Sequence, residues 1–385
     1  VATQTKPKVI VGLSGGVDSS VSALLLKQQG YEVEGLFMKN WEEDDTSQYC
    51  AAQADLNDVK TVCKTLCIPL HTVNFSQEYW ENVFSLFLDD YQNGRTPNPD
   101  ILCNKEIKFH LFLEHALKLG ADKIATGHYA QIVNHAPYQL HQGYDPNKDQ
   151  SYFLYTLNQY ALSHSLFPIG HLTKPQVRKL AKDADLINHS KKDSTGICFI
   201  GKRKFKTFLQ DFVLAKPGIM QTPEGITIGE HDGLMYYTLG QRQGLKIGGL
   251  KNFETKPWYV VAKDLEKNIL FVTQDTNHPW HFSTQLQAEK MHWVTPPTQP
   301  QFKAQAKTRY RQKSSECTVH LRPHNQVIVE FYEPQTAVTP GQSVVFYQDQ
   351  NCLGGGMIQA TNSLGGLTQA NRFMKTIDEV SHVDE

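Results

Sequence analysis

From residue 8 the chain alternates short β-branched runs with longer stretches whose apolar residues recur every three or four positions. The runs at 8–13, 31–38, 70–75 and 123–127 predict strands; the stretches at 19–29, 55–66, 76–91 and 103–119 predict helices, the first stopped by Gly30. Strand–helix alternation at this spacing implies a parallel, doubly wound sheet, whose ligands sit beyond the carboxyl ends of the strands. A mixed region follows to about residue 214, with a helix running from the N-cap Thr173 and its capping-box partner Gln176 to Asp183, and another at 205–214. From about residue 217 the pattern turns to period two, punctuated by Gly and Pro, in runs such as GITIGE, WYVVAKD, NILFVTQ, FKAQAKTRY, CTVHL, QVIVEFYE and QSVVFYQ. Such runs predict small antiparallel sheets or barrels. The expected fold class is therefore α/β: a Rossmann-like domain over 1–216, a small β module over 217–285 and a β-barrel over 286–385.

Composition narrows the picture. The 385 residues are 40% hydrophobic and 20% charged, the balance of a folded chain. No run of ~18 apolar residues occurs, so no membrane span is expected. The opening VATQTKPKVI shows no secretory pattern, and seven cysteines, an odd number, point to free thiols in a reducing cytoplasm. The 38 basic and 39 acidic residues nearly cancel, which excludes a uniformly basic coat, but the charge is unevenly placed. Residues 1–150 hold 12 basic and 19 acidic side chains, whereas 171–210 hold 10 and 3. Residues 301–313 carry Lys303, Lys307, Arg309, Arg311 and Lys313 with no acidic residue. Two concentrated basic stretches fit a polyanion docked on one face, such as RNA.

The strongest local signal is Ser14-Gly15-Gly16-Val17-Asp18-Ser19-Ser20, directly after a strand and opening a helix. Unpaired N–H groups and the dipole at a helix N-terminus favour phosphate, and the two glycines allow close backbone approach. The loop has no Lys, so it differs from the GxxxxGK[ST] pattern. Two cysteines stand in suggestive contexts. Cys103 follows Thr96-Pro97-Asn98-Pro99-Asp100, where a helix start near Asp100 and the nearby Lys105 would favour a thiolate, and Asp100 can serve as acid or base. The alternative is Asp100 as a cap and Cys103 as core. Cys198 lies between Gly196 and Gly201, with Lys191, Lys192, Lys202, Arg203 and Lys204 nearby; it too has a packing alternative. Cys63 and Cys67 have helical spacing, but no second pair completes a zinc set, so no tightly bound metal is expected.

The SGGVDSS loop resembles the signature of the PP-loop ATP pyrophosphatases, which adenylate a substrate oxygen and release pyrophosphate. That resemblance implies ATP with Mg, bound along Gly12, Leu13, Ser14, Gly15, Gly16, Val17, Asp18 and Ser19, with further contacts at Met38 and Gly127. Taken with TPNPDILCNKEIKF, ATGHYA, KDQSYFL, STGICFIGKRKF and YTLGQRQGL, the chain resembles the tRNA-specific 2-thiouridylase family over nearly its whole length. The resemblance implies ATP-dependent 2-thiolation of the wobble uridine in tRNAs for Glu, Gln and Lys. Cys198 would receive sulfur as a persulfide from a donor protein, a cysteine desulfurase or a relay protein. Cys103 would be the other catalytic thiol, the two ending as a disulfide, and Asp100 the acid/base group. Asn98, Pro99 and Asp100 would shape the pocket for the target base. The family pattern places tRNA contacts at His128, Lys148, Asp149, Gln150, Arg309, Tyr310 and Gln342. A monomer is expected. The alternative is another PP-loop adenylating enzyme, such as a 4-thiouridine synthetase.

Overall fold

The computed structural model describes residues 6–41, 51–133, 136–193, 205–250 and 252–363. Strands β1 (Lys8–Gly12), β2 (Glu32–Lys39), β3 (Leu70–Asn74) and β4 (Lys123–Ala125) precede a hairpin, β5 (Ala130–Val133) and β6 (Gln139–Gln142), and a short β7 (Ser165–Leu166). The first sheet has the order β3-β2-β1-β4-β7 and is parallel throughout. Along β1 the side chains split between its faces: Ile10 enters one core cluster, while Val9 and Val11 enter another with Val21, Val62 and Val177. Helices α1 (Val17–Gln28) and α2 (Ala51–Leu66) belong to the second face. Two rods, 76–92 and 99–118, cover the first. Each contains a π-helical stretch, Trp80–Phe84 and Cys103–Leu111.

A four-stranded sheet of order β10-β11-β8-β9 follows, made of β8 (Gly218–Gln221), β9 (Thr227–His231), β10 (Tyr259–Asp264) and β11 (Ile269–Thr273). The last six strands are β12 (Phe282–Trp293), β13 (Gln301–Lys307), β14 (Ser315–Arg322), β15 (Gln326–Thr336), β16 (Ser343–Gln348) and β17 (Asn351–Thr361). Antiparallel pairing of β12 with β17 closes them into a barrel. The expected α/β class with a terminal β-barrel is what the chain adopts.

Three departures from the sequence reading matter. The hairpin β5–β6 was not foreseen, and it pairs with the barrel rather than the parallel sheet: Leu140 lies opposite Cys352, and His141 opposite Asn351. Strands β12 and β17 were also missed. In β17 the run Gly354-Gly355-Gly356 hides the strand pattern. A Cβ on Gly355 would lie 2.5 Å from the Val344 carbonyl and 3.0 Å from the Tyr155 ring, so bare backbone lets barrel and parallel-sheet unit pack closely. Finally, the helix expected to 214 ends at Gln210.

The N-terminal unit and the barrel share one core. Phe84, Phe87, Phe112, Leu140, Tyr152 and Leu154 cluster with Val294, Val345, Tyr347 and Cys352 of the barrel. Buried tyrosines at this junction keep their hydroxyls bonded. Tyr152 donates to the Ser343 carbonyl at 2.8 Å, Tyr155 Oη lies 3.1 Å from Ser343 Oγ, and Tyr347 Oη lies 3.2 Å from Ser151 Oγ. Truncating the fully buried Leu140 should cost roughly 2–5 kcal/mol. In urea, emission from Trp41 and Trp80 on one side and Trp293 on the other should report one shared midpoint, lowered in Leu140→Ala. Separate midpoints would show two independent cores.

Candidate active site

Between β1 and α1 the chain turns through Leu13 to Gly16. Gly15 has φ +77, and a Cβ there would lie 2.9 Å from the Asp55 carbonyl oxygen. Gly16 caps α1 with extended backbone and brings no capping side chain, which leaves first-turn N–H groups to an outside acceptor. Ser19 Oγ accepts from Ser14 N at 3.3 Å and donates to the Gly16 carbonyl at 3.2 Å, fixing the loop. Asn188 Nδ2 donates to the Gly15 carbonyl at 3.0 Å and to Ser20 Oγ at 2.9 Å, while its buried Oδ1 has no partner. Gly127, just past β4, lies against the start of α1: a Cβ there would come within 2.6 Å of Ser19 N. Met38 near the end of β2 closes on Gly12, its Cε 3.5 Å from where a Cβ would stand. The fold thus gathers Gly12 to Ser19, Met38 and Gly127 at the carboxyl ends of the inner strands of the sheet. An anion held there meets backbone N–H groups and serine hydroxyls, so the residues fit a nucleotide phosphate chain.

The sequence reading missed a cluster of paired charges beside this loop. Lys174, only 8% exposed, donates to both oxygens of Asp18 at 2.8 Å, and Tyr129 Oη donates to Asp18 at 2.7 Å. Lys174 also pairs with Asp193 at 2.8 Å, which further binds Lys148 at 2.6 Å and Arg178 at 3.0 Å. Burial would raise the Asp193 carboxyl, but hydrogen bonds from Lys148 and Lys174 outweigh it and hold it at about 2. Asp145 Oδ2 accepts from Lys174 N at 3.0 Å, so three cations face three carboxylates, and the cluster brings ammonium and guanidinium groups beside a loop that has none of its own. The only sequence signal was the basic excess over 171–210.

The rod 99–118 carries the other chemistry. Asn98 Oδ1 accepts from Asp100 N at 3.2 Å, so Asn98 rather than Asp100 is the cap, and Pro99 takes the first helical position. Cys103 therefore opens the second turn, where the dipole has faded, and it is 4% exposed. Lys105 pairs with Glu106 at 2.8 Å instead of serving the thiol. From Cys103 the rod is π-helical, a rare geometry found frequently at functional sites. Burial raises the Asp100 carboxyl above its ordinary value, with the Lys108 charge opposing. Burial, then Lys108, push the His128 imidazole well below its usual range, so His128 is neutral. His128 Nδ1 lies 2.8 Å from Thr126 Oγ1. Lys108 itself donates to Asn104 Oδ1 at 2.9 Å, and Asn104 Nδ2 donates to the Phe153 carbonyl at 3.1 Å. One ammonium group thus acts on both Asp100 and His128. Cys198 lies outside the described residues.

Most residues expected at RNA are engaged within the protein. Lys148 is held by Asp193, and Gln150 Oε1 accepts from Tyr129 N at 3.0 Å. Asp149 accepts from Gly143 N at 3.0 Å, Ser151 N at 3.1 Å, Gln142 Nε2 at 3.1 Å and Lys307 Nζ at 3.2 Å. Arg309 donates to the Leu239 and Ala337 carbonyls at 2.6 and 2.8 Å and to Thr339 Oγ1 at 3.0 Å. Gln342 Nε2 donates to the Thr96 carbonyl at 2.7 Å. The Tyr310 ring lies with its centroid 4.4 Å from that of Phe153, three residues past Gln150, the two planes tilted by 47°. Of the basic stretch 301–313, Lys303, Arg311 and Lys313 are exposed, while Lys307 and Arg309 turn inward.

Three domain families match in sequence: a tRNA methyl transferase HUP domain over 7–202, a tRNA methyl transferase PRC-barrel domain over 206–274 and an aminomethyltransferase beta-barrel domain over 283–358. The tRNA-specific 2-thiouridylase MnmA of Colwellia psychrerythraea is 59% identical over 357 residues, 91% of this chain and 95% of its own length. Its counterpart in Legionella pneumophila is 57% identical over 92% of this chain and 99% of its own. That of Klebsiella pneumoniae is 59% identical over 93% and 98%. With identity this high along almost the whole of both chains, the protein belongs to the tRNA-specific 2-thiouridylase family.

Proposed function

We propose that the chain is an ATP-dependent tRNA sulfurtransferase that converts the wobble uridine of tRNAs for Glu, Gln and Lys to 2-thiouridine. The observation that carries this reading is a pair of neighbours. Gly127 packs on the N-terminus that fits phosphate, and His128, the next residue, sets its ring 5.8 Å from that of Phe109 on the rod that carries Asp100 and Cys103. A nucleotide on one side and a base on the other would meet across a single peptide link.

The C2 oxygen of uridine is a poor leaving group. In this reading it attacks the α-phosphorus of ATP; pyrophosphate departs toward the loop Ser14–Ser19, and AMP becomes the leaving group at C2. Mg, carried with ATP, would neutralise phosphate charge. Sulfur arrives on Cys198 as a persulfide from a donor protein. Its terminal sulfur replaces the oxygen, whether by direct attack or as hydrosulfide released when Cys103 attacks Cys198. Either route reduces the sulfane sulfur by two electrons and leaves Cys103 and Cys198 as a disulfide, so each turnover needs a reductant. Asp100 moves the proton beside the base, its raised affinity suiting that work near neutral pH. Exposed Lys303, Arg311 and Lys313 supply phosphate contacts, and Tyr310 with Phe153 offers a platform for an unstacked base.

Protein incubated with ATP, Mg, a persulfide donor and unmodified tRNA should yield 2-thiouridine, scored by mass spectrometry of nucleosides. Cys198→Ala should abolish donor-dependent transfer while pyrophosphate release persists. Full thiolation in both Cys103→Ala and Cys198→Ala would exclude the two-thiol route. Asp18→Asn, which removes a carboxylate facing Lys174, should slow pyrophosphate release at least tenfold. A wild-type rate would remove Asp18 from the adenylation step. Because burial raises the Asp100 pKa, any step that needs its carboxylate should gain rate at a higher pH than an ordinary carboxylate would set. Asp100→Asn should flatten that limb of the single-turnover pH profile.

A further inference from the structure

The turn between β15 and β16 reaches out of the barrel to the chain that enters the rod 99–118. Gln342 Nε2 donates to the Thr96 carbonyl at 2.7 Å and lies 3.5 Å from that of Pro97. Thr96 N returns a bond to the Pro340 carbonyl at 3.2 Å. The turn is anchored in turn to β17, through Gly341 N to the Ile358 carbonyl at 2.9 Å and Ile358 N to the Gln342 carbonyl at 2.8 Å. Gly341 has φ +90, and a Cβ there would lie 2.8 Å from Arg95 Cβ and 2.8 Å from Thr96 N. The two backbones are in direct contact.

Beyond Thr96 the chain has few hydrogen-bond handles before the rod, where Pro99 and Ile101 are buried. Pro97 and Pro99 have no N–H to donate. Asn98 spends its side chain on Asp100 N, inside the same segment. The prolines also stiffen the path, so a shift at Thr96 passes to Asp100 four residues on and from there to Cys103. The clasp at Thr96 therefore adds a local constraint on the loop Asn98–Asp100 to the one that the shared core places on the rod as a whole.

We propose that Gln342 is a positioning residue: with Pro340 and Gly341 it clasps Thr96, holding the loop Asn98–Asp100 in register with RNA seated on the barrel, and it acts on the chemical step rather than on RNA affinity. This rests on the sulfur-transfer reading above. Positional errors of an ångström at a reacting centre reach a hundredfold in rate, so loss of one clasp bond should be visible.

Gln342→Ala should lower the single-turnover thiolation rate at saturating tRNA by about tenfold, with the tRNA Kd changed less than about twofold. Gln342→Glu, which puts an acceptor against two carbonyls, should be slower still. Gly341→Ala, which strains the same joint without touching the amide, should show the same split. Independently of activity, iodoacetamide should alkylate Cys103 several-fold faster in Gln342→Ala. A weakened Kd with a wild-type saturated rate would make Gln342 an RNA contact and overturn the clasp. Unchanged thiolation and unchanged Cys103 alkylation would also overturn it. Absence of 2-thiouridine with the unaltered protein would instead count against the reaction itself, with the alkylation arm still judging the clasp.

Discussion

Gly127 stands where any side chain would collide with the first turn of α1, and the residue after it, His128, is buried under the charge of Lys108. Much of the site is arranged around this closeness. Because β4 ends against the loop that precedes α1, that loop and the rod bearing Asp100 and Cys103, whose Phe109 ring lies 5.8 Å from that of His128, stand on either side of one peptide. A larger residue at 127 would push the two apart. The electrostatics follow the same geometry. Lys174, Lys148 and Arg178 crowd one side, Lys108 governs the other, and neutral His128 sits between without adding charge of its own.

The second organising feature is the joint between the units. A hairpin from the N-terminal unit extends the barrel's sheet, buried tyrosines bridge the two, and the turn at Gly341 touches the approach to the rod. A load on the barrel can therefore reach the approach to the rod 99–118, which belongs to another part of the chain. Arg309 shows the same economy of design, since its guanidinium ties the central module's Leu239 to the barrel's Ala337 and Thr339.

What could be read from the sequence was what local pattern encodes. The loop Ser14–Ser20, the strands around it and the helices framing it each announce themselves through periodicity, glycine and capping residues. The π-helical stretches do not, because a shift from i→i−4 to i→i−5 bonding leaves composition untouched. Strand β17 was obscured by glycines that its neighbours require, and β5–β6 by polar residues that lie at a junction. Lys174 and Asp193 meet Asp18 and Lys148 across more than 40 residues of sequence, and no local rule links them. Counting charge over 301–313 overstated the outward face, because it cannot tell that Lys307 turns to Asp149 and Arg309 to backbone carbonyls.

The hairpin β5–β6 also bears on how such a chain can be divided. A fragment ending before β8 would keep its parallel sheet and its nucleotide loop. It would bare the outer edge of β6, whose N–H and C=O groups now pair with β17, together with Leu140, Tyr152 and Leu154. An open strand edge flanked by apolar side chains is a template for pairing with other chains. The N-terminal unit is thus not a portable module, and recombination that traded barrels between relatives would have to carry a matching hairpin with each one.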